Sequence, residues 1–110
     1  MTQGYSCVNL NSDPIFISQL EKSRDTADTT NLRAAYAKVS AKVLEGEADV
    51  TSKPVTIKKT KAGFTGVDNI AGIATTTDSV LKAAMKDQEI TVTVHADGTA
   101  PTFAVKKSNR

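Results

Sequence analysis

The sequence predicts an α+β fold, a four- to five-stranded antiparallel sheet with two helices packed on one face, and three observations carry that prediction. Apolar and polar residues alternate with period two in Val55–Lys58, Glu89–His95 and Thr102–Lys106. Leu32, Tyr36, Val39 and Val43 recur at helical spacing. Turn-forming clusters of Gly, Pro, Asn, Asp and Ser separate these stretches. The alternation gives each strand one wet face, as antiparallel sheets allow and buried parallel sheets do not. At 110 residues the chain has material for one core, and a single domain over residues 1–110 is expected.

Tyr5–Leu10 has β-branched and aromatic character and ends at Asn11-Ser12-Asp13-Pro14. Residues 14–22 allow two readings. Ser12 or Asp13 as N-cap with Pro14 at the first helical position suits a helix, whereas Ile15-Phe16-Ile17 suits a second hairpin strand. The polar run Ser23–Asn31 reads as a loop. The helix that follows runs from about Leu32 to Glu45, with Leu44 widening its apolar stripe, Arg33, Lys38 and Lys42 facing water, and Gly46 as its stop.

Val50–Lys59 then reads as a strand that Pro54 confines to an edge or to its own beginning. Lys61-Ala62-Gly63 is a turn, and Phe64 and Val67 start a short partner strand, while Asn69–Ala74 has no clear period. Thr77 or Asp78 caps a second helix through Lys86, with Val80, Leu81, Ala84 and Met85 inward. Glu89–His95 and Thr102–Lys106, joined through Asp97-Gly98, form a C-terminal hairpin with Ile90, Val92, Val94, Phe103 and Val105 on one face.

Composition narrows the function classes. With one Cys and one His, Cys7 and His95, there is no intrachain disulfide and no cluster at transition-metal spacing, so no metal site and no cofactor are expected. A Cys7–His95 nucleophile pair is less expected than a core thiol and an exposed strand histidine. Asp25, Asp28, Asp87, Glu89 and Asp97 sit in surface-type contexts rather than the apolar ones that raise a carboxyl pKa for acid catalysis. There is no phosphate-cradling glycine loop of either common type. Gly63-Phe64-Thr65-Gly66 has the spacing of a nucleotide-backbone clamp, but it follows a strand and carries Phe64, so it reads as a hairpin turn. No catalytic residue is assigned, and the chain is read as no enzyme.

Seven cations make the candidate interaction or nucleic-acid patch: Lys53, Lys58, Lys59, Lys61, Lys106, Lys107 and Arg110. They would line one sheet rim if the strands at 53–59 and 102–107 are neighbours. Residues 1–52 carry five Lys/Arg against seven Asp/Glu, and residues 53–110 carry nine against five, an asymmetry through which copies would pair head to tail. Aromatics are only 5%, so the core must be built from small aliphatic side chains, and burial against a partner would help it. The N-terminal residues lack the basic start and apolar run of a signal peptide, and no apolar stretch is long enough to span a bilayer. The expected class is therefore a non-enzymatic structural or interaction protein. It would be a small self-associating subunit of a symmetric assembly such as a phage or virus particle, made in the cytoplasm and incorporated into the virion as a capsid, decoration or tail component. The alternative is a small basic module that binds nucleic acid or inhibits a partner protein.

Overall fold

The computed structural model describes residues 14–46 and 48–106. The expected strand at 5–10, and with it Cys7, lies outside the described residues, as do Lys107 and Arg110. The first element is one long helix, α1, Pro14–Leu44, of 31 residues. At 1.5 Å per residue it is about 46 Å long. The polar run at 23–31, expected to be a loop, is its middle. Ser, Asp, Thr and Asn are poor helix formers by roughly half a kcal/mol each, so something outside the helix must hold this stretch. Glu21, Asp25, Asp28 and Leu32 follow one another at spacings of four, three and four, and therefore share the face that Val39 continues. That face is polar at its first half and apolar at its second, and both halves are turned toward the rest of the chain.

After Gly46, which takes a positive φ of 101°, the chain forms two strand fragments, β1 (Val50–Thr51) and β2 (Val55–Thr56). A two-stranded ribbon follows, β3 (Asn69–Ile70) and β4 (Ile73–Ala74), then the hairpin β5 (Glu89–Val94) and β6 (Thr102–Lys106). β5 is the centre of the main sheet. Val50 and Thr51 pair antiparallel with Val94 and Thr93, Val55 and Thr56 with Ile90 and Glu89, and β6 pairs with β5 from Glu89 to Thr93. Thr93 is matched to both Thr51 and Thr102, and Ile90 to both Val55 and Val105, so β1 and β2 lie end to end on one edge of β5 and β6 lies on the other.

The break between β1 and β2 has a local cause. Pro54 has no N–H for a ladder, and Ser52 bridges the gap with its side chain. Its N–H donates to the Val92 carbonyl at 2.8 Å, and its hydroxyl accepts the Val92 N–H at 3.0 Å in place of a backbone carbonyl.

The predicted architecture of two helices on a four- to five-stranded sheet is thus corrected to one long helix with short strands in two small sheets. The second helix is the clearest loss. Asp78 does cap the segment, accepting the Val80 and Leu81 N–H groups at 3.1 and 3.0 Å, but only a 3₁₀ turn, Leu81–Ala83, follows. Ala84 leaves it in an extended conformation. Its carbonyl accepts the Gly63 N–H at 3.0 Å, and two residues later the Lys86 N–H donates to the Lys59 carbonyl at 2.7 Å. These bonds to a distant segment replace the helical turns that local propensity favours.

Leu32 and Val39 of α1 pack with Ile57, Phe64, Ile70, Leu81, Ala84, Ile90, Val92 and Phe103 in the core. Leu44, expected to widen the stripe, is exposed at the helix end. Gly63 is fixed by geometry: its φ is +84°, and a Cβ there would come within 3.1 Å of the Lys82 carbonyl oxygen.

The register gives a direct test. Val39→Asp places a charge where the wild-type side chain is 3% exposed, and should abolish cooperative unfolding. Lys38→Asp, one residue away on the wet face, should stay within about 0.5 kcal/mol of wild type. Similar thermal melts for the two variants would show that the face is assigned wrongly.

Candidate interaction surfaces

The polar half of the α1 face works as a row of hydrogen-bond acceptors for segment 58–65. Asp28, fully buried, accepts the Lys58 N–H at 3.0 Å and the Lys59 N–H at 2.9 Å through one oxygen. Asp25 accepts both the N–H and the hydroxyl of Thr65, at 3.1 and 3.2 Å, through Oδ2. Its Oδ1 is buried without a partner among the described residues. Glu21 accepts the Thr60 N–H and hydroxyl and the Lys61 N–H, at 2.8 to 3.1 Å. Burial pushes the Asp28 carboxyl upward and outweighs the two amides and nearby Lys59 that favour its anion. Burial opposes ionisation of Glu21 as well, but there the Thr60 and Lys61 amides, the Thr60 hydroxyl and Lys59 prevail, and its pKa falls from 4.5 to about 2.

This row determines where the seven predicted cations stand. Lys59 is 1% exposed. Its ammonium donates to the Lys61 carbonyl, lies 3.7 Å from Glu21 Oε2 and sits 5.5 Å from the centre of the Phe64 ring. Lys53, Lys58 and Lys61 are exposed on the β1–β2 side. Lys106 pairs in register with Glu89, so β5 lies between it and the other three. The structure therefore brings Lys53 and Lys58 to one edge, buries Lys59 behind them and places Lys106 on the opposite edge. Gly63–Gly66, the other motif with a nucleic-acid reading, is folded in through buried Phe64 and the Thr65 bonds to Asp25.

Two grooves open beside the β1–β2 edge. One, of about 390 Å³, is lined by Ala34, Ala35, Val39, Pro54 and Val55, by Thr51 and Ser52, and by Lys38, Lys42 and Lys53. The other, of about 360 Å³, is lined by Thr56, Ile57, Thr60, Arg24, Lys58, Lys86 and Asp87. Sequence reasoning missed Arg24, Lys38, Lys42 and Lys86 as members of a shared surface. Only the crossing of α1 over the strand edge unites them, although the Lys38–Lys42 spacing marks one helix face.

At the far end of the sheet Asp49 Oδ2 lies 3.0 Å from His95 Nδ1, and Asp49 Oδ1 accepts the Ala96 N–H at 2.8 Å. The hydrogen bonds from His95 and Ala96 hold the Asp49 carboxyl below its ordinary range. His95 Nε2 is 3.3 Å from the Thr102 hydroxyl. The order carboxylate, imidazole, hydroxyl is that of a nucleophile relay, but neither groove is lined by any of the three. The group joins the chain entering β1 to both strands of the hairpin. Among the described residues no His, Cys, Asp or Glu cluster has the makings of a metal site, and no helix is long and apolar enough to cross a membrane. Comparisons with protein-family models, with curated proteins and with solved structures return no match.

The acceptor row makes two predictions. Asp28→Ala strands two amides, one of them fully buried, and should cost roughly 2–5 kcal/mol in urea denaturation, while Asp28→Asn, which keeps one acceptor oxygen, should cost less. Glu21 has a folded pKa below its unfolded value. Its contribution is therefore complete above about pH 4.5 and is lost as pH falls toward about 2. Glu21→Gln should flatten the fall of stability across that window, and an unchanged pH profile would show that the carboxylate does not hold the Thr60–Lys61 amides.

Proposed function

We propose that the chain is a non-enzymatic structural subunit that associates with copies of itself into a symmetric assembly, such as a phage or virus particle. The observation that carries this reading is the outer edge of β6. Among the described residues β6 pairs with β5 alone, and none of them forms a strand on its other edge. Phe103 and Val105 share the inner face, and Val105 is 45% exposed, one of four exposed large apolar side chains among the described residues. The edge carries a single charge, Lys106, and no proline between Thr102 and Lys106, so little discourages a second strand.

Two copies joined antiparallel about Ala104 would be self-complementary. Ala104 would face its own counterpart, Val105 would stand beside Phe103 of the other copy, and Lys106 would stand opposite Thr102, so no like charges meet. Such an edge is isologous, the kind of contact from which two-fold symmetric particles are built. The composition rich in Thr, Ala and Val and poor in aromatics supports the particle setting, because a modest core gains from burial between subunits.

Light scattering should give at least a dimer mass for wild type, stable at high salt, and a monomer mass for a folded Val105→Lys variant. Monodisperse monomer at high concentration would overturn self-association. Wild type and His95→Gln should hydrolyse p-nitrophenyl acetate at the same rate. A large drop in the folded variant would overturn the non-enzymatic reading.

A further inference from the structure

The grooves beside the β1–β2 edge form one surface. α1 runs antiparallel to the β1–β2 segment: Glu21 meets Thr60, Asp28 meets Lys58, and Lys38 and Lys42 stand by residues 51–55. The grooves therefore lie one after the other along the same seam, and from Arg24 to Lys42 the helix advances about 27 Å. Six cations line them, Arg24, Lys38, Lys42, Lys53, Lys58 and Lys86, against one carboxylate, Asp87. Lys38, Lys42 and Lys53 form no ion pair among the described residues.

The positive charge is a product of the fold, not of composition. The N-terminal half of the chain is acidic by count, but three of its carboxylates, Glu21, Asp25 and Asp28, are turned inward onto backbone amides. The cations left outward between Arg24 and Lys42 are Arg24, Arg33, Lys38 and Lys42. Arg33 donates to the Asn69 carbonyl away from the grooves, and the other three join Lys53, Lys58 and Lys86 from the basic half.

We propose that this seam binds the phosphodiester backbone of single-stranded nucleic acid without regard to sequence. A row of cations about 27 Å long matches about eight phosphates of a stacked strand at roughly 3.4 Å each, and fewer of an extended one. That span is within the site sizes of folds that bind single strands. Each groove has the volume of a pocket for one small organic molecule, so an unpaired strand fits it and a duplex does not. The floor of Ala34, Ala35, Val39, Pro54 and Val55 offers apolar contact to sugars and bases. No aromatic side chain lines either groove, so bases are not stacked and not read. The surface lies on the opposite side of β5 from the β6 edge, which makes the two readings separable.

The test is fluorescence anisotropy with a labelled 12-mer of oligothymidylate and the full-length chain at 50–200 mM salt. Six cations at roughly 0.7 each give a slope of log affinity on log salt of about −4, an affinity loss of about 300-fold over that range. Lys38→Glu/Lys53→Glu, with an unchanged thermal melt and unchanged mass, should weaken binding at 50 mM salt by about tenfold or more and make the slope shallower by about 1.4. Lys106→Glu on the opposite edge should change affinity by less than about twofold, and Val105→Lys should split the assembly but retain the cation-dependent slope. Failure of wild type to bind at 50 mM salt overturns the proposal, as does an equal loss in Lys106→Glu. Equal affinity for a 12-base-pair duplex overturns the single-strand assignment. Equal competition by polyglutamate of matched charge shows a general polyanion surface and overturns the nucleic-acid assignment.

Discussion

The structure depends on the capture of backbone amides by α1 carboxylates. Segment 58–65 leaves the sheet after a strand that Pro54 has already broken, and its N–H groups at Lys58, Lys59, Thr60, Lys61 and Thr65 find acceptors on α1 rather than on a neighbouring strand. Unpaired, a buried amide such as that of Lys59 costs on the order of 1–3 kcal/mol, and the part-buried Lys58 and Thr65 amides less. Glu21, Asp25 and Asp28 satisfy them from one helix face. In return, the bonds hold straight a stretch of α1 rich in residues that favour caps and turns. Helix and segment each supply what the other lacks.

The same bonds explain Lys59. With its N–H held by Asp28 and its carbonyl by the Lys86 N–H, the residue is fixed with its side chain inward, and a buried ammonium needs compensation. The Lys61 carbonyl, the Glu21 carboxylate and the Phe64 ring provide it. One cation of a basic segment is thus spent inside the fold while its neighbours Lys58 and Lys61 remain in water. The inward carboxylates leave the adjoining helix surface positive, so interior hydrogen bonding and surface electrostatics have a common origin.

Much of the apolar framework was legible in the sequence. The spacing of Leu32 and Val39 gives the buried face of α1, and the alternation in 89–95 and 102–106 gives the hairpin with Ile90, Val92 and Phe103 inward. The helix through 23–31 was not legible from propensity, because what stabilises it lies thirty to forty residues away. A stripe read only on apolar residues ends at Leu32, whereas one that admits acceptors continues through Asp28, Asp25 and Glu21 at unbroken spacing. The short second helix failed for the same reason: the Asp78 cap is real, but backbone bonds from Ala84 and Lys86 to a remote segment decide where the turn ends. The neighbours of the lysine strands were beyond pattern reading, since alternation gives a strand its faces but not its place in the sheet.

The two edges of the β5-centred sheet differ in what they offer. On the β1–β2 side the ladder is interrupted at Pro54, Ser52 fills the gap with its own hydroxyl, and the amides beyond Ile57 are bonded to α1. Among the described residues no regular row of N–H and C=O groups remains there for a further strand, so a partner would address that edge through side chains, and the charged ones beside the grooves are cationic but for Asp87. On the β6 side the order is reversed: an uninterrupted five-residue strand with one charge has no strand among the described residues on its outer edge, and that edge can be addressed through the backbone. A strand-forming partner and a charged partner would therefore be directed to opposite edges by the covalent character of Pro54 and the acceptor row of α1. Both can be engaged at once, because β5 separates them.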